Sequence, residues 1–388
     1  MMDAAEIPQR VNLEKTPCVS VDGEMQRSST GWMAAAVSEV LADDDLLVEI
    51  LLRVGFPTTL VRAALVCKRW YHHVSSPSFL CCFCERYPPR LLGFYIDGGS
   101  VWTVGHTAPH FVPMLPQPPE LAPVVCRMPS HGFVVHEQII LCRNGTVFTM
   151  HRNSNRLALE AHNPLCPDRG MGAVPSLPRA QEPMQQILGA ILSKEEEGGL
   201  SYLYVLAEWI GGTRNFRMSV YMLQDGVWCM QSSATDQIIL PLTAPKAEVV
   251  GSKIYMLSAF SDEIIVIDLV TSSLSRIPLP HRVKYHPFST TLSRADDASG
   301  VYLTHVHINE HQLCIWLHKG DNWLLVHTIC LREMCANLRM LDPTLEHIGG
   351  PYLCHIGHNA EFVFLKMCGC MLYLDVTSRI LCKLHETA

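Results

Sequence analysis

No run of 18 apolar residues occurs anywhere in the 388-residue chain, which speaks against a membrane-spanning helix. The opening MMDAAEIPQRVNLEK lacks the apolar core of a secretory signal, so an intracellular protein is expected. Positive charge is the minority sign. Lys and Arg total 30 against 37 Asp and Glu, for a net charge of −7, so no global basic field favours nucleic acid. Three catalytic signatures are missing: a Gly-Lys-Ser/Thr phosphate loop, a Gly-x-Ser-x-Gly elbow and a His-Glu-x-x-His helix. No enzymatic activity is expected.

Aliphatic and sulfur side chains are abundant. Apolar residues make up 48% of the chain and charged residues only 17%, enough for real cores in two or three domains. The sixteen cysteines read as reduced thiols, many of them buried, in a cytoplasmic and/or nuclear protein. Structural zinc wants two well-spaced ligand pairs. Cys81, Cys82 and Cys84 beside His72 and His73 do not offer that, because adjacent helical residues diverge by about 100°. Cys368 and Cys370 near Cys382 are no better, so no metal or other cofactor is expected. His305 and His307 share a strand face and read as packed or solvated residues.

The texture changes twice along the chain. Residues 1–36 carry little periodicity, and Ser28-Ser29-Thr30-Gly31 marks a flexible lead-in, expected to be disordered. Residues 38–89 pack several short apolar helices into a space too small to bury its own surface. Asp43, Asp44 and Asp45 suit a helix start, capping free amides and meeting the positive end of the dipole. Leu47, Ile50, Leu51 and Val54 follow as one helical stripe. Leu46, Val48 and Leu52 are apolar too, so the apolar surface is wider than one core face needs. Gly55 ends this helix and Pro57 starts the next. Ser76-Pro77 reads as an N-cap followed by proline at the first helical position. Such a cluster is a docking module.

The order Leu41, Asp45-Leu46-Leu47-Val48-Glu49-Ile50-Leu51, then Arg62-Ala63-Ala64-Leu65-Val66-Cys67-Lys68-Arg69-Trp70 resembles the F-box. That resemblance implies binding to a Skp1-type adaptor and, through it, to a cullin in an SCF-type ubiquitin ligase. It also implies a contact surface including Leu41, Leu47, Ile50, Leu51, Val66, Cys67 and Trp70. Two departures stand out. Ala42 occupies the place where the family usually has proline, and Cys81-Cys82-Phe83-Cys84 replaces a stretch that tends to be basic.

From residue 90 onward the apolar runs are short, alternating and turn-bounded, the mark of strands. Val220–Trp228 and Ile315–Trp323 repeat a strand, a Gly/Asp turn and a tryptophan at an offset of 95 residues. A second unit recurs at Lys253–Leu274 and Phe362–Ile380, where an aspartate ends a strand and a Thr/Ser cluster turns the chain. Fainter copies lie at Leu91–Ile96 and at Ile139–Phe148, the latter with an Asn-Gly turn. At about 50 residues per unit, residues 90–388 hold about six units, which predicts a β-propeller. A β-sandwich is the plainer alternative. The glycine pairs do not fall at kelch spacing. Leu91-Leu92-Gly93-Phe94-Tyr95, Asn163-Pro164-Leu165, Leu313–Leu317 and Tyr373–Val376 resemble the propeller-like domain that follows F-box motifs in plants, especially grasses, a domain that holds substrate in such families.

The expected molecule is therefore a multi-domain α plus all-β protein: a small N-terminal F-box and a C-terminal propeller of about six blades. Its expected role is to recruit a target of unknown identity to a ligase, without nucleic acid or membrane. A non-proteolytic scaffold role or a decayed, weakly adaptor-binding copy is the alternative. Trp228 and Trp323 could pack blades or anchor the target. The loops around Gly211–Asn215, Ser258–Glu263 and His281–His286 are candidates to touch it.

Overall fold

The computed structural model describes residues 27–87, 91–96, 108–114, 116–128, 132–135, 137–143, 145–153, 156–166, 172–179, 186–196, 199–211, 215–236, 246–258, 261–295, 300–338 and 350–386. Contacts divide the chain into two units, Met1–Leu91 and Leu92–Ala388.

The first unit is helical: α1 (Arg27–Ala42), α2 (Asp44–Leu52), α3 (Pro57–Ala64), α4 (Lys68–Val74) and α5 (Pro77–Arg86). The Asp43 side chain accepts from the backbone N–H groups of Asp45 and Leu46 at 2.9 and 3.0 Å, which caps α2. Ser76 caps α5 by accepting from the Phe79 N–H, and proline opens both α3 and α5. Gly55 takes a left-handed conformation (φ 78°) after α2, which only glycine adopts freely. The core is small: Leu47, Leu51, Leu60, Val74, Phe79 and Phe83.

Disorder expected over residues 1–36 needs correction. Residues 1–26 lie outside the described residues, but 27–36 are helical and continue into the expected module. Ala34-Ala35-Ala36 is a strong helix-forming run. Ala42 also matters, since a proline there would lack an N–H and crowd the preceding turn. The alanine lets α1 run through to residue 42.

In the second unit, β3 (Gln138–Arg143) to β6 (Gly172–Ala173) form the first of five four-stranded antiparallel meanders. The next is β7 (Gln186–Glu196), β8 (Gly199–Trp209), β9 (Phe216–Gln224) and β10 (Val227–Asp236). Then come β11 (Ala247–Val250), β12 (Lys253–Leu257), β13 (Glu263–Asp268) and β14 (Ser273–Pro278). The fourth holds β15 (Thr290–Arg294), β16 (Val301–His307), β17 (Gln312–Lys319) and β18 (Asn322–Cys330). The fifth, β19 (Tyr352–Ile356), β20 (Phe362–Met367), β21 (Cys370–Asp375) and β22 (Ile380–Glu386), follows the helix Leu331–Asn337. First strands of successive sheets neighbour one another, β3 to β7 to β11 to β15 to β19, the arrangement of blades around an axis.

The cores lie between blades. On β13, Ile265 and Ile267 join a cluster with β7–β9 residues, while Ile264 and Val266 join another with Leu292, Val301 and Leu303. Alternate side chains of one strand thus serve two cores, which is why Ile264–Ile267 is apolar throughout.

About six blades was too many: five four-stranded sheets are found among the described residues. The Leu91–Ile96 stretch supplies only a two-stranded sheet, β1 (Gly93–Ile96) with β2 (His110–Pro113). It stands in the sixth place of the ring. Phe94 meets Phe364 at a tilt and His110 meets His385 edge-on in the last sheet, at centroid distances of 5.0 and 6.3 Å. On its other side Tyr95 meets Phe133, whose ring packs on His162, the last residue of β5 (Arg156–His162). The sequence stretch looked like a full repeat because one apolar strand has the same local pattern whether or not a sheet forms around it.

Candidate functional site

Two surfaces follow from this framework, one on each unit. On the helical unit, a band of large apolar side chains stays in solvent: Ile50 (41% exposed), Val61, Leu65 (81%), Val66 (63%), Tyr71 and Leu80. They come from α2, the α3–α4 segment and α5, while the unit's interior is filled by other residues of the same helices. A single exposed leucine is ordinary, but this many exposed large apolar side chains on a unit this small mark an interaction surface.

The residues nominated for adaptor contact divide by position. Ile50, Val66 and Cys67 are exposed, and Leu41 and Trp70 are half-buried. Leu47 and Leu51 are interior, at 0% and 1% exposure, and so support the surface from behind rather than forming it. Leu65 and Tyr71 belong to the exposed band and were not nominated; their signal was an apolar residue beside the Val66–Trp70 block.

Polar contacts hold this face in shape. Arg69 donates from Nε to Asp44 Oδ1 at 2.7 Å and from Nη1 and Nη2 to the Leu41 and Ala42 carbonyls at 2.6 and 2.7 Å. The fork therefore fixes the α1–α2 junction to α4. The Arg69 guanidinium, and after it the His73 ring at 2.9 Å, hold the Asp44 carboxyl below its ordinary range. Cys81, Cys82 and Cys84 are exposed. The Cys81 thiol donates to Glu85 Oε1 at 3.5 Å, and that contact pushes the thiol up.

On the propeller, the loops at 211–215, 258–263 and 281–286 all lie at the end of the ring where first strands begin. The first two join a second strand to a third, and the last leads from β14 into β15; residues 212–214 and 259–260 lie outside the described residues. Beside the last loop is a cavity of about 370 Å³ bordered by Arg282, Lys284, His286, His305, His307 and Glu310. His305 is buried, its Nδ1 lies 2.9 Å from Thr290 Oγ1, and burial with the neighbouring His307 and His286 lowers its pKa to about 4. It is a neutral, fixed ring.

Trp228 and Trp323 are half-buried blade residues. Their indole N–H groups donate to the carbonyls of Pro175 and Pro278, at 3.1 and 2.8 Å, each proline lying at the end of the preceding sheet. They stitch neighbouring blades. Among the described residues, Glu137, Glu160 and His162 bring three potential metal-ligand atoms within 4.8 Å of one another. Glu160 and His162 share a face of β5, and the group carries internal bonds: His162 Nε2 lies 2.8 Å from Thr149 Oγ1, and Glu137 accepts from the Val134 N–H. Residues so distant in sequence give no spacing signal. Burial also lowers Lys246, just before β11, to about 8.

Comparison with known families gives two matches. Residues 43–82 match the F-box domain. Residues 138–388 match the β-propeller described as F-box protein AT5G49610-like. No curated protein matches the chain. Among solved structures, similar chains include an oligogalacturonate lyase in complex with manganese (8% identity, TM-score 0.38, 65% of each chain covered). A putative 6-phosphogluconolactonase from Bacteroides uniformis shares 13% identity at TM-score 0.33, covering 63% of this chain and 68% of its own. TolB from Acinetobacter baumannii shares 13% at TM-score 0.39, covering 69% and 58%. This chain thus spans less than two thirds of the lyase and of TolB.

Proposed function

The chain belongs to the AT5G49610-like family of F-box β-propeller proteins, and on that premise we propose that it is the substrate-recognition subunit of an SCF-type ubiquitin ligase. Residues 38–89 are the adaptor-binding module and residues 90–388 the target-binding one. In this reading Leu41, Ile50, Val66, Cys67 and Trp70 meet a Skp1-type adaptor, with Leu47 and Leu51 bracing them from within. A cullin joins through the adaptor. The protein itself performs no chemistry: it holds a target near a ubiquitin-charged enzyme, and the rate gain is one of proximity. Fifteen described cysteines without a disulfide suit a cytoplasmic or nuclear setting, and a plant origin fits the family.

The observation that carries this reading is the exposed apolar band on a segment that matches the F-box. Burying that band against a partner removes apolar surface from water at roughly 25 cal/mol per Å². The test is capture of the full chain by a purified Skp1-type adaptor. Ile50→Asp combined with Val66→Asp places two carboxylates in the contact at exposed positions that the fold tolerates. Capture by the parent chain and at least a tenfold loss in the double variant, with an unchanged circular dichroism spectrum, is expected. Capture of neither refutes the adaptor role and favours a scaffold or decayed copy, and equal capture of both refutes the proposed contact surface.

A further inference from the structure

We infer that the cavity beside the 280–289 loop docks an acidic, Asp/Glu-bearing peptide segment of the target protein. The inference deepens the reading of the propeller as the target-binding unit.

The loop itself is organised for this. Val283 is buried and Tyr285 partly so, while Arg282, Lys284 and His286 are exposed and border the cavity. The inward set pins the loop. Val283 and Tyr285 pack with Leu279 and Leu292, and Asp262 Oδ1 accepts from the Tyr285 N–H at 3.4 Å. Three cationic or donor side chains are thereby held at the cavity. Among the described residues neither Arg282 nor Lys284 has an ion-pair partner, although the chain as a whole carries a net charge of −7. Arg282 also holds a left-handed backbone (φ 71°) that glycine would take freely, so the guanidinium is kept there despite an unfavourable conformation.

The histidines add directed donors. The Phe288 N–H donates to His286 Nδ1 at 3.3 Å, which leaves the proton on Nε2, free to meet a visitor. Beneath it, the His286 N–H donates to Thr290 Oγ1, whose hydroxyl can donate in turn to His305 Nδ1. The floor of the cavity is thus fixed by its own hydrogen bonds. Phe288 (46% exposed) lies 5.7 Å from the His286 ring and meets Tyr352 (38%) edge-on at 5.7 Å, an exposed aromatic pair beside His286. Cations with an aromatic neighbour suit an acidic segment carrying one apolar anchor. A nucleic acid fits less well: the cavity is short, Glu310 borders it, and backbone recognition needs a longer basic stripe.

The test is selection of a random twelve-residue peptide library on the full chain, followed by fluorescence anisotropy of the recovered peptides. Recovered peptides should be rich in Asp and Glu. Replacing these by Asn and Gln, or introducing Arg282→Glu with Lys284→Glu into the protein, should weaken binding at least tenfold. Recovery of neutral or basic peptides, recovery of nothing above background, or acidic peptides that bind the double variant equally well overturns the inference. So does binding confined to phosphoserine-bearing peptides, which would assign the cavity to phosphate. Adaptor capture measured on the same preparation reports on the F-box separately, so a failure there leaves the peptide result standing.

Discussion

Leu51 and Ile50 are adjacent, equally apolar and on the same helix, yet they do different work. Leu51 is at 1% exposure inside the helical core, while Ile50 is two-fifths exposed. Truncating an interior leucine costs about 2–5 kcal/mol through lost transfer energy and the cavity left behind, whereas a surface truncation stays within about 0.5 kcal/mol. Leu51→Ala should therefore raise amide hydrogen exchange across residues 44–87 of the full chain, and Ile50→Ala should leave exchange unchanged while weakening adaptor capture. Faster exchange in the Ile50 variant would mean that its side chain belongs to the fold. The sequence could not separate the two. Leu47, Ile50 and Leu51 lie within about 100° of one another on a helix, and an apolar arc wider than one core face does not say which edge turns inward.

At the scale of the element, the two tryptophans show how a repeat is joined. Trp323 donates to the carbonyl of Pro278, and Trp228 to that of Pro175, so each ties its blade to the one before. Trp323→Phe keeps most of the ring's packing but deletes the donor. A loss of about 1 kcal/mol is expected, read as a lower melting temperature of the propeller with no change in binding of library-selected peptides. Loss of peptide binding at unchanged stability would instead make Trp323 part of the target site. The strands that carry these tryptophans were legible because alternation and turn residues are local: the Asp225-Gly226 hairpin has both residues at positive φ, as a two-residue turn requires. Asp268 accepting from the Val270 and Thr271 N–H groups is the aspartate-led turn that the sequence pattern suggested. The start of α1 was not legible, because the polar Ser28–Gly31 stretch resembles a linker. Nor was the Glu137–Glu160–His162 group, which depends on how distant segments come together.

Across the whole molecule, two very different cores are carried on one chain. The propeller shares large apolar clusters between successive sheets, and its ring is completed at the sixth place by a hairpin of two strands. The helical unit rests on six buried side chains among the described residues and leaves an apolar band in water. Units with separate cores unfold separately when little couples them, and the smaller core should fail first. A partner that binds only the folded helical unit stabilises that unit alone, by about 2.7 kcal/mol at a free concentration one hundred times its dissociation constant. For a unit of this size that is a shift of roughly 10–20 °C. Calorimetry of the full chain should therefore show two transitions, of which an excess of Skp1-type adaptor moves the lower and leaves the upper in place. A single transition, or an upper one that moves with the adaptor, would mean that the two cores act as one cooperative body and that the adaptor reads more of the chain than the helical face.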